Sequence, residues 1–471
     1  MNIRKTKIVA TLGPAVEKES DLEELFKAGV NVVRLNFSHG SHHSHKVMLN
    51  RVRKITKTLP QTIGILQDLS GPEIRTGEFS DGEVELVTGQ IFTLCSDDVE
   101  GNQEMVSVSH TRLPEEVEKG DSILLDDGKI ELIVQSCGKG EIVCRVDEGG
   151  FIKGRRSVSV PNRTLSLPSL TKKDKEDIDF GLKNKVDFIA MSFIRSADDV
   201  LAVRKIISKE KNRPDIVAKI ETREAVDDFD RILEVSDGIM IARGDLSVEM
   251  PTEKVPVVQK MIIEKCVHAG KPVVTATQML ESMISSPTPT RAEVSDIANA
   301  VMDGTDAVML SGETAIGRYP FRAVRMMCRV CKEVEKSSPY IPKQIFGVTN
   351  SITDTITEAV SAISKRLSIG LVIAPTRSGK TARMIARQRP KPLIYSFSDE
   401  RVSRKLTLSF GCVPIAMKGI NGSFSELLKK VRSFLFSEGL IKKGSRVILA
   451  GRVSTFEKTK GRTNSLRIEE M

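Results

Sequence analysis

The chain of 471 residues contains no tryptophan, three tyrosines and only 4% aromatic residues. A surface built to stack nucleic-acid bases needs such rings, so a dedicated nucleic-acid-binding role is not expected. Long apolar runs are also missing. No stretch approaches the roughly 20 residues that cross a bilayer, which excludes an integral helical membrane protein. Cysteine is sparse: Cys95, Cys137, Cys144, Cys266, Cys328, Cys331 and Cys412. An odd count without paired spacings makes no disulfide framework. The basic start, Met1 to Lys7, is followed only by Ile8-Val9-Ala10 before Thr11, too short for the apolar core of a secretory signal. Reduced thiols and a cytoplasmic location are the expectation. Cys328-x-x-Cys331 has no second ligand pair for zinc and reads as two helix cysteines.

What is present is a globular composition, 40% hydrophobic and 28% charged, long enough for two to four domains. The net charge of +9 is unevenly spread. Residues 341–471 hold 24 Lys+Arg against 9 Asp+Glu, while the rest of the chain is slightly acidic. A basic tail region suits a phosphorylated small molecule or a polyanion, or is simply a solvated surface.

Short apolar runs recur along residues 1–70 and 166–340: Lys7–Thr11, Val30–Asn36, Ile63–Asp68, Asp187–Ser192, Ile216–Ile220, Gly238–Ala242, Pro272–Ala276 and Asp306–Leu310. Amphipathic segments separate most of them, among them Ser196–Lys209, Thr222–Val235, Thr252–Ala269 and Pro320–Glu335. Ser20-x-x-Glu23 and Thr171-x-x-Asp174 read as helix caps, and Gly29 as a stop. Eight strand–helix units predict a (β/α)₈ TIM barrel. Residues 71–165 interrupt it with short strand-like runs punctuated by Asp81-Gly82, Asp127-Gly128 and Gly138-Lys139-Gly140, which predicts a small all-β domain inserted after the third strand. Such an insertion can act as a lid. Residues 341–471 alternate again with four or five strands, predicting an open α/β sheet.

Barrel chemistry sits where strands end and the following loops begin. Those positions carry Arg34, Asn36, Ser38 and His39, then Asp68, Lys219 and Glu221, Gly244 and Asp245, Thr277, and Ser311. Alternation turns Lys219 and Glu221 the same way. Glu221 and Asp245 are hard oxygen ligands with no His or Cys beside them, which favours Mg²⁺ or Mn²⁺. Asn36, Ser38 and Asp68 carry one charge among them and suit a weakly charged ion such as K⁺. Metal, lysine and arginine together are what phosphoryl transfer needs. A rim salt bridge between Lys219 and Glu221 is the plainer reading of the same pair.

The same residues carry a resemblance over nearly the full length. The segments are Arg34-Leu35-Asn36-Phe37-Ser38-His39-Gly40, Gly71-Pro72-Glu73-Ile74-Arg75-Thr76-Gly77, Lys219-Ile220-Glu221, Ala242-Arg243-Gly244-Asp245-Leu246, Ala276-Thr277-Gln278-Met279 and Met309-Leu310-Ser311-Gly312-Glu313-Thr314. In this order they resemble the pyruvate kinases. The resemblance implies phosphoryl transfer from phosphoenolpyruvate to ADP, with ATP and pyruvate as products. It implies a divalent ion on Glu221 and Asp245, and K⁺ on Asn36, Ser38, Asp68 and the Leu69 carbonyl. Lys219 and Arg34 would meet the migrating phosphoryl. Gly244, Asp245 and Thr277 would hold the substrate, Thr277 lying where the enolate is protonated. Asn36, His39, Arg75 and Arg156 would contact the nucleotide. It also implies a homotetramer. A different phosphoenolpyruvate-handling barrel, a mutase or lyase, is the alternative.

Some positions depart from the family pattern. Leu69-Ser70 stands where Thr-Lys is common, Ser247 where Gly is usual, and Arg155-Arg156-Ser157 replaces a Lys-Lys-Gly-like segment. Glu73 is associated with members that require K⁺. The cluster His39-Gly40-Ser41-His42-His43-Ser44-His45 opens a helix, and its rings do not converge as a transition-metal site would require. Ala374-Pro375-Thr376-Arg377-Ser378-Gly379-Lys380-Thr381 resembles a Walker A loop without its first glycine. Thr376, Ser378, Lys380 and Thr381 suit a phosphate monoester, and the resemblance implies an allosteric sugar phosphate or nucleotide monophosphate there, a vestigial loop being the alternative.

Overall fold

The computed structural model describes residues 3–161, 163–337, 351–418, 424–451 and 463–471. Eight parallel strands close into a barrel: β1 (Lys7–Thr11), β2 (Val32–Asn36), β3 (Gly64–Asp68), β4 (Phe188–Met191), β5 (Asp215–Ile220), β6 (Gly238–Ala242), β7 (Val273–Ala276) and β8 (Ala307–Leu310). Each predicted run becomes a strand, because each is apolar on both faces and must be covered inside and out. Ile8, Val33, Ile65, Ile189 and Ile241 face the helices. Val9, Val32, Leu66, Val217, Met240 and Met309 fill the interior. The same two-residue alternation, carried upward from Val32, Leu66 and Val217, turns Arg34, Asp68 and Lys219 into the barrel mouth.

The helices differ from expectation in detail. The first, Glu19–Ala28, is capped at Lys18 with Asp21 rather than at Ser20 with Glu23. Asp21 Oδ2 accepts the Lys18 N–H, so the chain turns two residues earlier. Gly29 stops the helix at φ 123° and Thr171 caps Lys172–Lys183, as the residues suggest. The stretch Thr222–Val235 splits into Arg223–Asp227 and Phe229–Val235. At the break, Asp228 accepts the Ala197 backbone N–H at 2.8 Å, a tertiary bond that periodicity does not reveal.

The insertion after β3 holds a six-stranded sheet and a separate two-stranded one. Its core of Phe92, Leu94, Ile123, Leu132, Ile142 and Val146 is its own. The C-terminal domain is a five-stranded sheet of β9 (Leu371–Pro375), β10 (Leu393–Ser398), β11 (Cys412–Ala416), β12 (Arg446–Gly451) and β13 (Ser465–Glu470), in the order β11-β10-β9-β12-β13 with only β13 antiparallel. The expected boundary at residue 341 lies outside the described residues.

This last domain docks on the barrel floor. Leu408 joins the interior cluster from below. A Cβ at Gly64 would collide with Thr407 Oγ1 and press on the Arg404 carbonyl, so the floor requires glycine there. Arg404 binds Asp187 at 2.7 Å, Arg383 binds Asp215 at 2.6 Å, and Arg389 binds Asp306 at 2.9 Å. Lys405 also reaches Asp215. Four basic residues of the tail therefore point inward, onto carboxylates at the lower ends of β4, β5 and β8.

Candidate active site

Five charged side chains from four strands meet at the barrel mouth. Arg34 Nε donates to Asp68 Oδ2 at 2.6 Å and Arg34 Nη1 to Thr11 Oγ1 at 3.0 Å. Asn36 and Asp68 are register partners across β2 and β3. Lys219 Nζ lies 2.7 Å from Glu221 Oε1, 3.4 Å from Asp68 Oδ1 and 2.6 Å from Ser192 Oγ. Glu221 Oε2 accepts the Phe193 N–H at 2.6 Å. Glu221 Oε1 is buried and, although near Lys219, lacks a hydrogen bond of good direction. The rim-bridge reading of Lys219 and Glu221 therefore holds as geometry, with the pair set inside a larger charged cluster that includes Asp68.

The electrostatics are those of a buried, compensated cluster. Burial alone would lower the Lys219 ammonium, but Asp68, Glu221 and Asp245 outweigh it and keep the lysine charged well above its ordinary range. Burial works against ionisation of Asp68, yet Lys219 and Arg34 hold its carboxyl below the usual value. Glu221 is pushed up to about 7 by burial, with the charge of Asp245 adding to the effect and Lys219 opposing it. Asp245 is raised chiefly by burial, and Asp127 of the insertion and Glu73 at its root push the same way. Glu221 and Asp245 are close enough to share a hydrogen bond when one is protonated.

A divalent cation fits this corner. Two neighbouring carboxylates, both raised chiefly by burial, resist simultaneous ionisation, and added positive charge would relieve the pair. Among the described residues no three His, Cys, Asp or Glu side chains form a full metal cage. A two-carboxylate site leaves its other positions to water and substrate oxygens. The residues expected to hold K⁺ are adjacent: Asn36 Oδ1 accepts the Ser38 N–H at 3.1 Å, and the Leu69 carbonyl accepts the Ser192 hydroxyl at 2.7 Å. Asp68 faces the cations of Arg34 and Lys219 there, and the Asn36 and Leu69 oxygens each already accept a hydrogen bond.

On the far side, Thr277 and Gln278 take left-handed conformations at φ 64° and 54°. Such backbone is costly for a β-branched residue and persists only when its surroundings enforce it. Gly244 N–H donates to Thr277 Oγ1 at 2.8 Å, and Arg243 Nη2 donates to the Thr277 carbonyl at 2.7 Å. Glu313 accepts the Leu280 and Ser311 N–H groups at 3.0 and 2.7 Å, tying the β7 and β8 loops together.

The insertion places its cations differently. Arg75 is held by Glu73 at 2.7 Å and by the Arg155 carbonyl at 2.9 Å, and Arg156 lies 3.4 Å from Asp126. The family departures find local partners: Ser157 Oγ donates to Asp127 Oδ1 at 2.8 Å, and Ser247 Oγ to the Gly244 carbonyl at 2.7 Å. A cleft of about 80 Å³ between insertion and barrel is lined by Glu73, Asp127, Asp245 and Glu249 among others.

His39 is exposed. His45 stacks on Phe37 with centroids 4.1 Å apart, and His42 binds Asp177 at 2.6 Å, so these rings diverge. All seven cysteines are free thiols, including Cys328 and Cys331. In the Walker-like loop, Gly379 sits at φ 83° and its N–H donates to Thr376 Oγ1 at 3.0 Å. Thr381 Oγ1 pairs with Thr463 Oγ1 at 2.8 Å, while Ser378 and Lys380 face solvent. Two hydroxyls of the expected cradle are thereby committed to the fold.

Residue reading missed Ser192, Arg243 and Glu313. Ser192 was recoverable, since it continues the inward alternation of Phe188 and Ala190. Arg243 and Glu313 act on backbone groups of other loops, which no local pattern signals.

Known proteins resemble this chain over nearly its full length. The family profile described as pyruvate kinase, barrel domain, matches residues 3–324, and that described as pyruvate kinase, alpha/beta domain, matches residues 354–469. A pyruvate kinase of Sporosarcina psychrophila is 45% identical over 473 residues, covering 99% of this chain and 80% of the relative. One from Staphylococcus aureus is 44% identical with the same coverage. The solved structure of a pyruvate kinase from Cryptosporidium parvum superposes with a TM-score of 0.89 at 38% identity, covering 99% of this chain and 96% of that one.

Proposed function

The chain belongs to the pyruvate kinase family, and on that premise we propose how its barrel mouth divides the work of the reaction. The enzyme transfers the phosphoryl group of phosphoenolpyruvate to ADP, giving pyruvate and ATP, the last step of glycolysis. The alternative of a mutase or lyase is not favoured, since both the barrel and the C-terminal domain match pyruvate kinases.

Lys219 and Arg34 set their positive charge against the migrating phosphoryl. They lower the cost of the charge it carries between the enol oxygen it leaves and the ADP oxygen it joins. Both are already held in place by Asp68, so little reorganisation accompanies the transfer. Family membership implies dependence on a divalent metal and on potassium. Glu221 and Asp245 would hold the divalent ion, Mg²⁺ or Mn²⁺, which when bound neutralises substrate oxygens. Asn36, Ser38, Asp68 and the Leu69 carbonyl would hold K⁺, and Glu73 accords with a requirement for it.

Gly244, Asp245 and Thr277 bind the substrate, and Thr277, with Ser311 nearby in the loop order, lies on the side where the departing enolate takes its proton. Asn36, His39, Arg75 and Arg156 contact the nucleotide. The insertion is a lid that excludes water as the site closes. The exposed Ser378 and Lys380 at the start of helix Lys380–Arg387 form the open part of a cradle for a phosphorylated effector, while the Thr376 and Thr381 hydroxyls beside them hold the loop in shape. A cytoplasmic homotetramer completes the reading. No helix among the described residues is long and apolar enough to cross a membrane.

The observation that carries this assignment of roles is the buried meeting of Lys219 with Asp68 and Glu221, with Asp245 beside them. Pyruvate release from phosphoenolpyruvate and ADP tests the ion roles. It should require a divalent ion and fall severalfold when Na⁺ replaces K⁺, and equal rates in the two salts would remove the K⁺ assignment.

A further inference from the structure

We propose that Ser192 is a positioning residue that fixes the Lys219 ammonium for phosphoryl transfer, an inference that rests on the role given to Lys219 above. Ser192 directly follows β4 and shares its inward face with Phe188 and Ala190, so its side chain enters the mouth from the strand beside β5. It is 6% exposed. Its hydroxyl carries one proton, and the Leu69 carbonyl, 2.7 Å away, takes it. The oxygen's lone pairs are then turned to Lys219 Nζ at 2.6 Å. The Ser192 hydroxyl also stands 3.4 Å from Asp68 Oδ1, a longer contact than that to Leu69.

This arrangement solves a specific problem. The Lys219 stem has four rotatable carbons, and two buried carboxylates compete for its ammonium, Glu221 at 2.7 Å and Asp68 at 3.4 Å. Either one alone would draw the charge into a closed ion pair and away from substrate. A neutral acceptor on a third side fixes direction without neutralising charge. Ser192 is itself clamped: a Cβ at Gly71 would approach its carbonyl oxygen to 2.7 Å, so that loop lies directly against its backbone. The hydroxyl thus connects the end of β3, through the Leu69 carbonyl, to the lysine on β5.

The test is a double-mutant cycle on the full-length enzyme, with pyruvate formation read at saturating phosphoenolpyruvate and ADP. Ser192→Ala should lower kcat tenfold or more and leave KM for phosphoenolpyruvate within threefold. In a Lys219→Met background the same change should cost less than twofold, because the group it positions is gone. A kcat within twofold of wild type in Ser192→Ala overturns the proposal. So does a full tenfold loss repeated in the Lys219→Met background, which would mark Ser192 as acting independently of the lysine. Should Ser192→Ala fail to fold, Ser192→Cys keeps the volume and replaces the oxygen by a weak acceptor. It should show the same loss, and wild-type turnover in it overturns the proposal equally. Near-normal turnover in Lys219→Met alone would instead remove the role of Lys219, an outcome separate from a failure at Ser192.

Discussion

Replacing Arg389 by methionine removes the most heavily bonded cation between the barrel and the C-terminal domain. Its guanidinium donates to both oxygens of Asp306, at 3.1 and 2.9 Å, and to the carbonyls of Gly304 and Ala386 at 2.6 and 3.1 Å. It also stacks over Phe410 at 4.5 Å. Arg389 and Asp306 are 6% and 4% exposed, so the substitution strands a buried carboxylate. Breaking a buried pair from one side costs about 3–5 kcal/mol. Asp306 keeps two backbone donors, Phe410 N–H at 2.9 Å and Val273 N–H at 3.3 Å, which argues for the lower end. With about 2.1 cal/mol/K of unfolding entropy per residue, a loss of about 3 kcal/mol lowers the melting temperature by roughly 3 °C if all 471 residues melt as one unit, and by more if the C-terminal domain melts alone. Scanning calorimetry at two heating rates reads this directly and shows whether the two domains melt together. The second substitution Asp306→Asn, added to Arg389→Met, removes the stranded charge and should recover about half of the loss. A single variant melting within about 1 °C of wild type, or a double variant no better than the single one, would refute the reasoning.

Two more expectations follow from groups away from the barrel mouth. Burial works against Asp215, but Arg383 and Lys405 hold its folded-state carboxyl below the ordinary value. Its contribution to stability is therefore complete above the unfolded value of about 4 and is lost as the pH falls through the lower folded value. The melting gap between wild type and Asp215→Asn should be widest near neutrality and close below about pH 4, and a gap constant with pH would count against it. In the effector loop, thermal-shift titration with a hexose phosphate and with a nucleoside monophosphate should raise the wild-type melting temperature but not that of Lys380→Ala. No shift in wild type, or an equal shift in the variant, would end the assignment.

The barrel was legible because its strands are buried on both faces, so each reads as a short continuous apolar run. The candidate site residues stood out for a related reason: a charged residue at the end of such a run, as in Lys219-Ile220-Glu221, needs a partner, which either a rim salt bridge or a bound ion or substrate supplies. What escaped reading was held by distant partners. β13, with sequence SLRIEE, is an edge strand whose exposed face carries charge, and only its antiparallel pairing with β12 makes it a strand. Ile91–Cys95 and Gly150–Lys153 are short, half-exposed strands of the insertion for similar reasons. The basic tail suggested an anionic partner, yet Arg383, Arg389, Arg404 and Lys405 find theirs on the barrel floor. Composition records charge but not the direction in which it points.

The central claim is that Lys219, held beside Glu221 and Asp245, is the charge that meets the migrating phosphoryl group. Pyruvate formation from phosphoenolpyruvate and ADP, in Mg²⁺ and K⁺, compared between wild type and Lys219→Met, tests it most directly. The account predicts a fall in kcat of about 10²–10³-fold or more, the range for losing a preorganised charge-stabilising group. The variant's circular dichroism should be unchanged. Turnover within a few fold of wild type by a folded Lys219→Met enzyme would contradict it.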